Sequence, residues 1–174
     1  MSARESALVV TVPESEQLVG RWRNQFDQAA TYGVPAHITI LYPFAPPRMI
    51  GDETKTSLRE LFASFEVFDF SLHEARRLSE HILYLAPSPE DPFDALTRAV
   101  FDLFPEYPPY EGRFTQVLAH LTVADRASLE QLDLIEADLS SGLPILSTAR
   151  HVSLLAGRDE PQSWRVVEEF PLGD

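Results

Sequence analysis

Cysteine is absent from the 174 residues. That excludes disulfide scaffolds, thiolate nucleophiles and Cys-ligated zinc. Lysine is nearly absent as well: Lys55 stands alone among 14 basic residues, and the rest are arginines. Positive charge is outweighed throughout, giving a formal net charge of −13 at pH 7. A protein that grips long nucleic acid draws most of its affinity from neutralised phosphates and released counterions, and needs a basic stripe to do so. No such stripe occurs, so a phosphate-bearing ligand should be small and held locally, with no extended nucleic-acid surface. Glycine is scarce, at seven residues, and none forms a Gly-rich loop able to cradle phosphates. No apolar run approaches the roughly 20 residues needed to cross a bilayer, so no membrane partner is expected. Met1-Ser-Ala-Arg-Glu-Ser carries no apolar secretory core, and a soluble, cytoplasmic protein is expected. The patterns His-x-His, His-Glu-x-x-His and Asp-x-Asp are missing, which predicts neither a metal site nor a cofactor.

What remains is ordinary globular composition, with 44% hydrophobic and 24% charged residues. The length fits one domain over residues 1–174, with lobes at approximately 1–74 and 75–174. Ala7 to Val12 is an apolar, β-branched run that reads as a buried strand. Ser15 then caps a helix whose apolar stripe is Leu18, Trp22, Phe26 and Ala29. Ala36 to Leu41 is a second strand, a helix from near Asp52 carries Leu58, Leu61, Phe62 and Phe65, and Val67 to Leu72 alternates as a third strand. The order then repeats. Ile82 to Ala86 is a strand, and Asp91-Pro92 opens a helix bearing Phe93, Leu96, Val100 and Leu103. Phe114 to Ala124 is a strand, and Ser128 with Gln131 makes a capping box for a helix with Leu132, Ile135 and Leu139. Ile145 to Ala156 and Trp164 to Phe170 complete the strands. Each half reads β-α-β-α-β, and the fold class is α+β.

The halves match in detail. Val34-Pro-Ala-His-Ile-Thr-Ile40 aligns with Val117-Leu-Ala-His-Leu-Thr-Val123. Alternate strand residues share a face, so His37 and Thr39 point one way while Ile38 and Ile40 enter the core. His120 and Thr122 do the same in the second half. A pseudo-twofold would then present two imidazoles and two hydroxyls across one cleft. Phosphodiester cleavage needs such a set: a neutral imidazole takes a proton from the attacking oxygen, and a protonated one gives a proton to the leaving oxygen. The threonine hydroxyls can donate to the phosphoryl oxygens, where charge is stabilised. One copy of such a short motif is weak, but two copies at equivalent places in a repeat are much stronger.

His151-Val-Ser-Leu154 also fits the pattern but lacks the preceding Val-x-Ala and has no equivalent in the first half. His73 and His81 read as structural. Tyr42 and Phe44 follow the first motif and are candidates for stacking on a base. Arg48, Arg113 and Arg126 lie in loops near the motifs, where a solvated role is the default.

The paired His-x-Thr-x motifs, Tyr42-Pro43-Phe44 after the first and the Trp164…Phe170-Pro171-Leu172 ending resemble the two-histidine (2H) phosphoesterase superfamily. Within it they are most similar to the bacterial 2′-5′ RNA ligase and cyclic phosphodiesterase branch. The resemblance implies a bilobal fold with antiparallel sheets lining a central cleft. It further implies that His37 and His120 are catalytic, that Thr39 and Thr122 bind the substrate phosphate, and that no metal is required. The substrates implied are 2′,3′-cyclic phosphates, ADP-ribose cyclic phosphate and 2′-5′-linked nucleotides, as small nucleotides or RNA ends. A binding module that holds such a ligand without turnover is the alternative from another class.

Overall fold

In the computed structural model, which describes residues 2–114 and 117–174, the strand alternation read above places one set of side chains in a shared core. The order is β1 (Glu5–Thr11), α1 (Glu16–Phe26), α2 (Gln28–Thr31), β2 (His37–Leu41), α3 (Asp52–Ala63), β3 (Phe68–Arg77), β4 (Leu83–Ser88), α4 (Asp91–Leu103), β5 (Leu121–Ala124), α5 (Leu129–Ser140), β6 (Ile145–Ala149), β7 (His151–Gly157) and β8 (Arg165–Pro171). Two four-stranded antiparallel sheets result, ordered β2-β1-β7-β8 and β5-β4-β3-β6. Leu8, Val10, Ile38 and Ile40 from the first sheet share one buried cluster with Leu83, Leu85, Leu121 and Val123 from the second. The α+β class with a duplicated, antiparallel architecture is as the sequence predicts.

The two halves do not part near residue 74, which lies inside β3. The sheet begun by β1 and β2 is completed by β7 and β8, from the far end of the sequence. The helices are exchanged too: α1 packs on β5, and α4 packs on β2. Thr97 of α4 donates to the Ile40 carbonyl at 2.8 Å, and the Asp125 N–H after β5 donates to the Phe26 carbonyl at 2.8 Å.

Three local expectations need correction. The stretch from Ile145 to Ala156 is two strands, broken at Arg150, that join different sheets. No glycine or proline falls between Ile145 and Ala156, so the sequence carries no turn signal at the crossing. Of the expected strand from Phe114 to Ala124, Thr115 and Gln116 lie outside the described residues, and only Leu121–Ala124 is strand. On α1 the fully buried positions are Val19 and Arg23, while Leu18, Trp22 and Phe26 are half-buried at the flank. Ser15 does precede that helix, but its hydroxyl donates to the Val12 carbonyl at 2.7 Å and does not cap. The Ser128–Gln131 capping box forms as read. Among the described residues, no helix is long and apolar enough to cross a membrane.

Candidate active site

The sheet orders make each motif strand an outer strand, and β2 and β5 lie side by side. Ile38 and Ile40, like Leu121 and Val123, are buried, which turns His37, Thr39, His120 and Thr122 to the opposite, half-exposed face. The two imidazoles are held in the same way. His37 Nδ1 lies 2.8 Å from the Pro35 carbonyl, and His120 Nδ1 lies 2.6 Å from the Leu118 carbonyl. A carbonyl oxygen only accepts, so each Nδ1 carries the hydrogen and each Nε2 is left as the exchangeable nitrogen. This explains the motif. The residue two before each histidine contributes only its carbonyl, so Pro35 and Leu118 can differ. Ala36 and Ala119 are buried, where larger side chains would collide with the core.

A charged network unmarked in the sequence fixes the approach to His37. Arg23 is 3% exposed, donates from Nη2 to the Val34 carbonyl at 3.1 Å, and donates from Nε to Asp27 at 2.8 Å. Glu16 accepts the Ala36 N–H at 2.7 Å. Helix α1 thereby holds the backbone just ahead of the catalytic candidate. Desolvation, then the Arg23 charge, lowers the His37 pKa to about 4 against the opposing pull of the Pro35 carbonyl, and the nearby His120 charge lowers it further. His37 is therefore neutral at pH 7.

Beside His37 lies a cavity of about 330 Å³. Ala7, Val9 and Leu155 form its floor with His37 and Thr39; Tyr32, Tyr42 and Trp164 wall it; and Gln28, Asp125 and Asp159 supply further polar groups. His120, just ahead of β5, and Thr122, on it, stand outside this cavity. The asymmetry has a simple origin. Val9 pairs across from Thr39, whereas Tyr84 pairs across from Thr122 and meets the His120 ring edge-on, centroids 5.7 Å apart. A small side chain leaves room on the first sheet, and a large one fills the matching place on the second.

The two stacking candidates separate. Tyr42 lines the cavity and donates its hydroxyl to Glu5 at 2.7 Å. Phe44 is 4% exposed and packs on Phe104 and Tyr107, so it is core and has no face to offer a base. Its environment comes from residues some sixty positions on, which a local reading does not see. His151 pairs with Glu169 at 3.3 Å, and His81 Nδ1 bonds the Ala127 carbonyl at 3.1 Å; neither lines the cavity. Arg113 pairs with Glu111, and Arg126 donates to Thr31 at 3.0 Å. Tyr110 escaped the sequence reading. Its N–H bonds the Tyr42 carbonyl, and its hydroxyl lies within hydrogen-bonding reach of Thr39, which opposes a pKa raised chiefly by burial. Tyr110 and Glu111 both adopt left-handed backbone (φ 50° and 57°), a strained turn at the edge of the site.

The same architecture recurs in solved structures. E. coli LigT complexed with 3'-AMP superposes with a TM-score of 0.64 at 11% identity, covering 99% of this chain and 100% of LigT. E. coli LigT complexed with NADP+ gives a TM-score of 0.60 at 14% identity, with 100% of both chains covered. TT0787 of Thermus thermophilus gives 0.63 at 16% identity, covering 98% of this chain and 99% of that one. At such identities the likeness establishes the fold. No curated protein sequence matches the chain. A family model does match, over residues 11–161, and by that match the chain belongs to the 2'-5' RNA ligase superfamily.

Proposed function

We propose that this protein is a metal-independent phosphoesterase that opens a 2′,3′-cyclic phosphate or cleaves a 2′-5′ linkage in a small nucleotide or RNA end, with His37 and His120 as its acid–base pair. The observation that carries this reading is the matched pair of carbonyl-anchored imidazoles at the head of adjacent outer strands. Neutral His37 takes the proton of the attacking oxygen on Nε2 as the new P–O bond forms. The attacker is water for a cyclic phosphate and the neighbouring ribose hydroxyl for a 2′-5′ linkage. His120 gives its Nε2 proton to the oxygen of the bond that breaks. Thr39 and Thr122 donate hydrogen bonds to the non-bridging oxygens. E. coli LigT has been crystallised with 3'-AMP, ATP and NADP+, and nucleotide-sized ligands suit a cavity of about 330 Å³.

Incubation with 2′,3′-cyclic nucleotides and 2′-5′ dinucleotides, followed by product analysis, tests the reading. His37→Ala and His120→Ala should each lower kcat by about 10²–10⁴-fold, the range for loss of a general acid or base, without lowering the melting temperature. EDTA should leave the rate unchanged. Full activity in His120→Ala would remove the proposal, and saturable binding without product would favour a sensor.

A further inference from the structure

Building on the phosphoesterase reading, we propose that the cavity beside His37 seats the substrate's base and that Asp125 and Asp159 select a base with paired N–H donors, guanine above uracil.

Position comes first. Among the described residues, the first sheet leaves space beside its histidine and threonine, where Val9 stands in the place that Tyr84 takes on the second sheet. A substrate phosphate at the motif threonines therefore has this hollow beside it for its nucleoside. The hollow has aromatic walls in Tyr32, Tyr42 and Trp164, the surface on which a planar base gains by stacking.

Polarity comes second. The lining holds two carboxylates and no arginine or lysine. Asp125 is fixed: its Oδ1 accepts the Gln28 N–H at 3.2 Å, and its own N–H donates to the Phe26 carbonyl. Gln28 gives one amide hydrogen to the Tyr32 hydroxyl at 2.7 Å and keeps its side-chain oxygen to accept. Tyr42 spends its hydroxyl on Glu5. The two carboxylates only accept, so a ligand edge set against them must bring the hydrogens. Guanine presents its imino and amino N–H groups side by side, the pattern a carboxylate's two oxygens accept. Uracil offers one N–H between two carbonyls, whose oxygens would face the carboxylates.

The test pairs calorimetric binding of 3′-GMP and 3′-UMP with kcat/KM for guanosine and uridine 2′,3′-cyclic phosphates. Guanosine should be preferred at least tenfold in both. Asp125→Asn and Asp159→Asn should each shrink that preference at least threefold, the loss falling on the guanosine ligand. Asp159 is exposed, so its variant reads the effect even if Asp125→Asn folds poorly. Equal affinity for the two ligands, no binding of 3′-GMP, or a preference untouched by both variants would overturn the selection. A guanosine preference in binding with no turnover would overturn the phosphoesterase reading and leave base selection standing.

Discussion

Arg23 Nη2 lies 2.8 Å from Asp27 Oδ2, with only 3% and 2% of the two side chains exposed. Burial pushes the Asp27 carboxyl up, and Arg23 draws it back down. Removing one member of such a pair leaves the other buried and uncompensated. Arg23→Met should therefore destabilise the fold by about 3–5 kcal/mol, and adding Asp27→Leu should recover much of that loss. Urea unfolding of the single and double variants measures both. A single variant as stable as the wild type would contradict the pairing.

The same arginine sets a pH dependence. A base with its pKa lowered to about 4 stays neutral well below the ordinary histidine range. The acidic limb of kcat/KM should therefore fall near pH 4, not near pH 6.5. Arg23→Met removes the second cause of the depression, so the limb should move upward, though short of pH 6.5 because desolvation is the larger cause. Stability carries the matching sign. The folded pKa lies below the unfolded one, so the His37 contribution is present above about pH 6.5 and is lost as pH falls toward about 4. A limb at pH 6.5 in the wild type would refute the assignment of His37 as base.

Phe44 and Tyr42 should respond in opposite ways. Phe44→Ala removes a buried ring between Phe104 and Tyr107 and should lower stability by about 3–5 kcal/mol, with KM little changed in the folded fraction. Tyr42→Ala opens the cavity wall and should raise KM several-fold with a smaller loss of stability. Saturation kinetics beside thermal melts distinguish the two positions.

Gly157 ends β7 against the Trp164 indole, and a Cβ at this position would overlap the ring. Gly157→Ala should displace the indole, lowering stability by about 1–3 kcal/mol and raising KM more than it lowers kcat. Gly51→Ala is the control, since its Cβ meets nothing within 4 Å. An unchanged KM in Gly157→Ala would separate Trp164 from the ligand.

The duplicated motif was legible because strand alternation and a repeat are local properties of a sequence. So was the capping box at Ser128, and so were the stripes Phe93-Leu96-Val100 and Leu132-Ile135-Leu139. Arg23 was not, since a charge on a helix reads as solvated until its partners Asp27 and Val34 are seen folded around it. The cavity was hidden for a related reason. It depends on Val9 lying across from Thr39, and on Trp164 and Asp125 arriving from distant parts of the chain. Phe44 reads as a cleft aromatic in the sequence because the partners of its ring, Phe104 and Tyr107, lie in the segment after α4.

Strand exchange between the halves bears on how the protein is made. During synthesis, the first motif strand would leave the ribosome long before β7 supplies Leu155 or Trp164 follows it. Until then β1 lacks one neighbour and His37 has no finished hollow beside it. Contacts so distant along the chain close slowly. Competence should therefore appear in a single late step, when the closing strands fold back onto the earliest one.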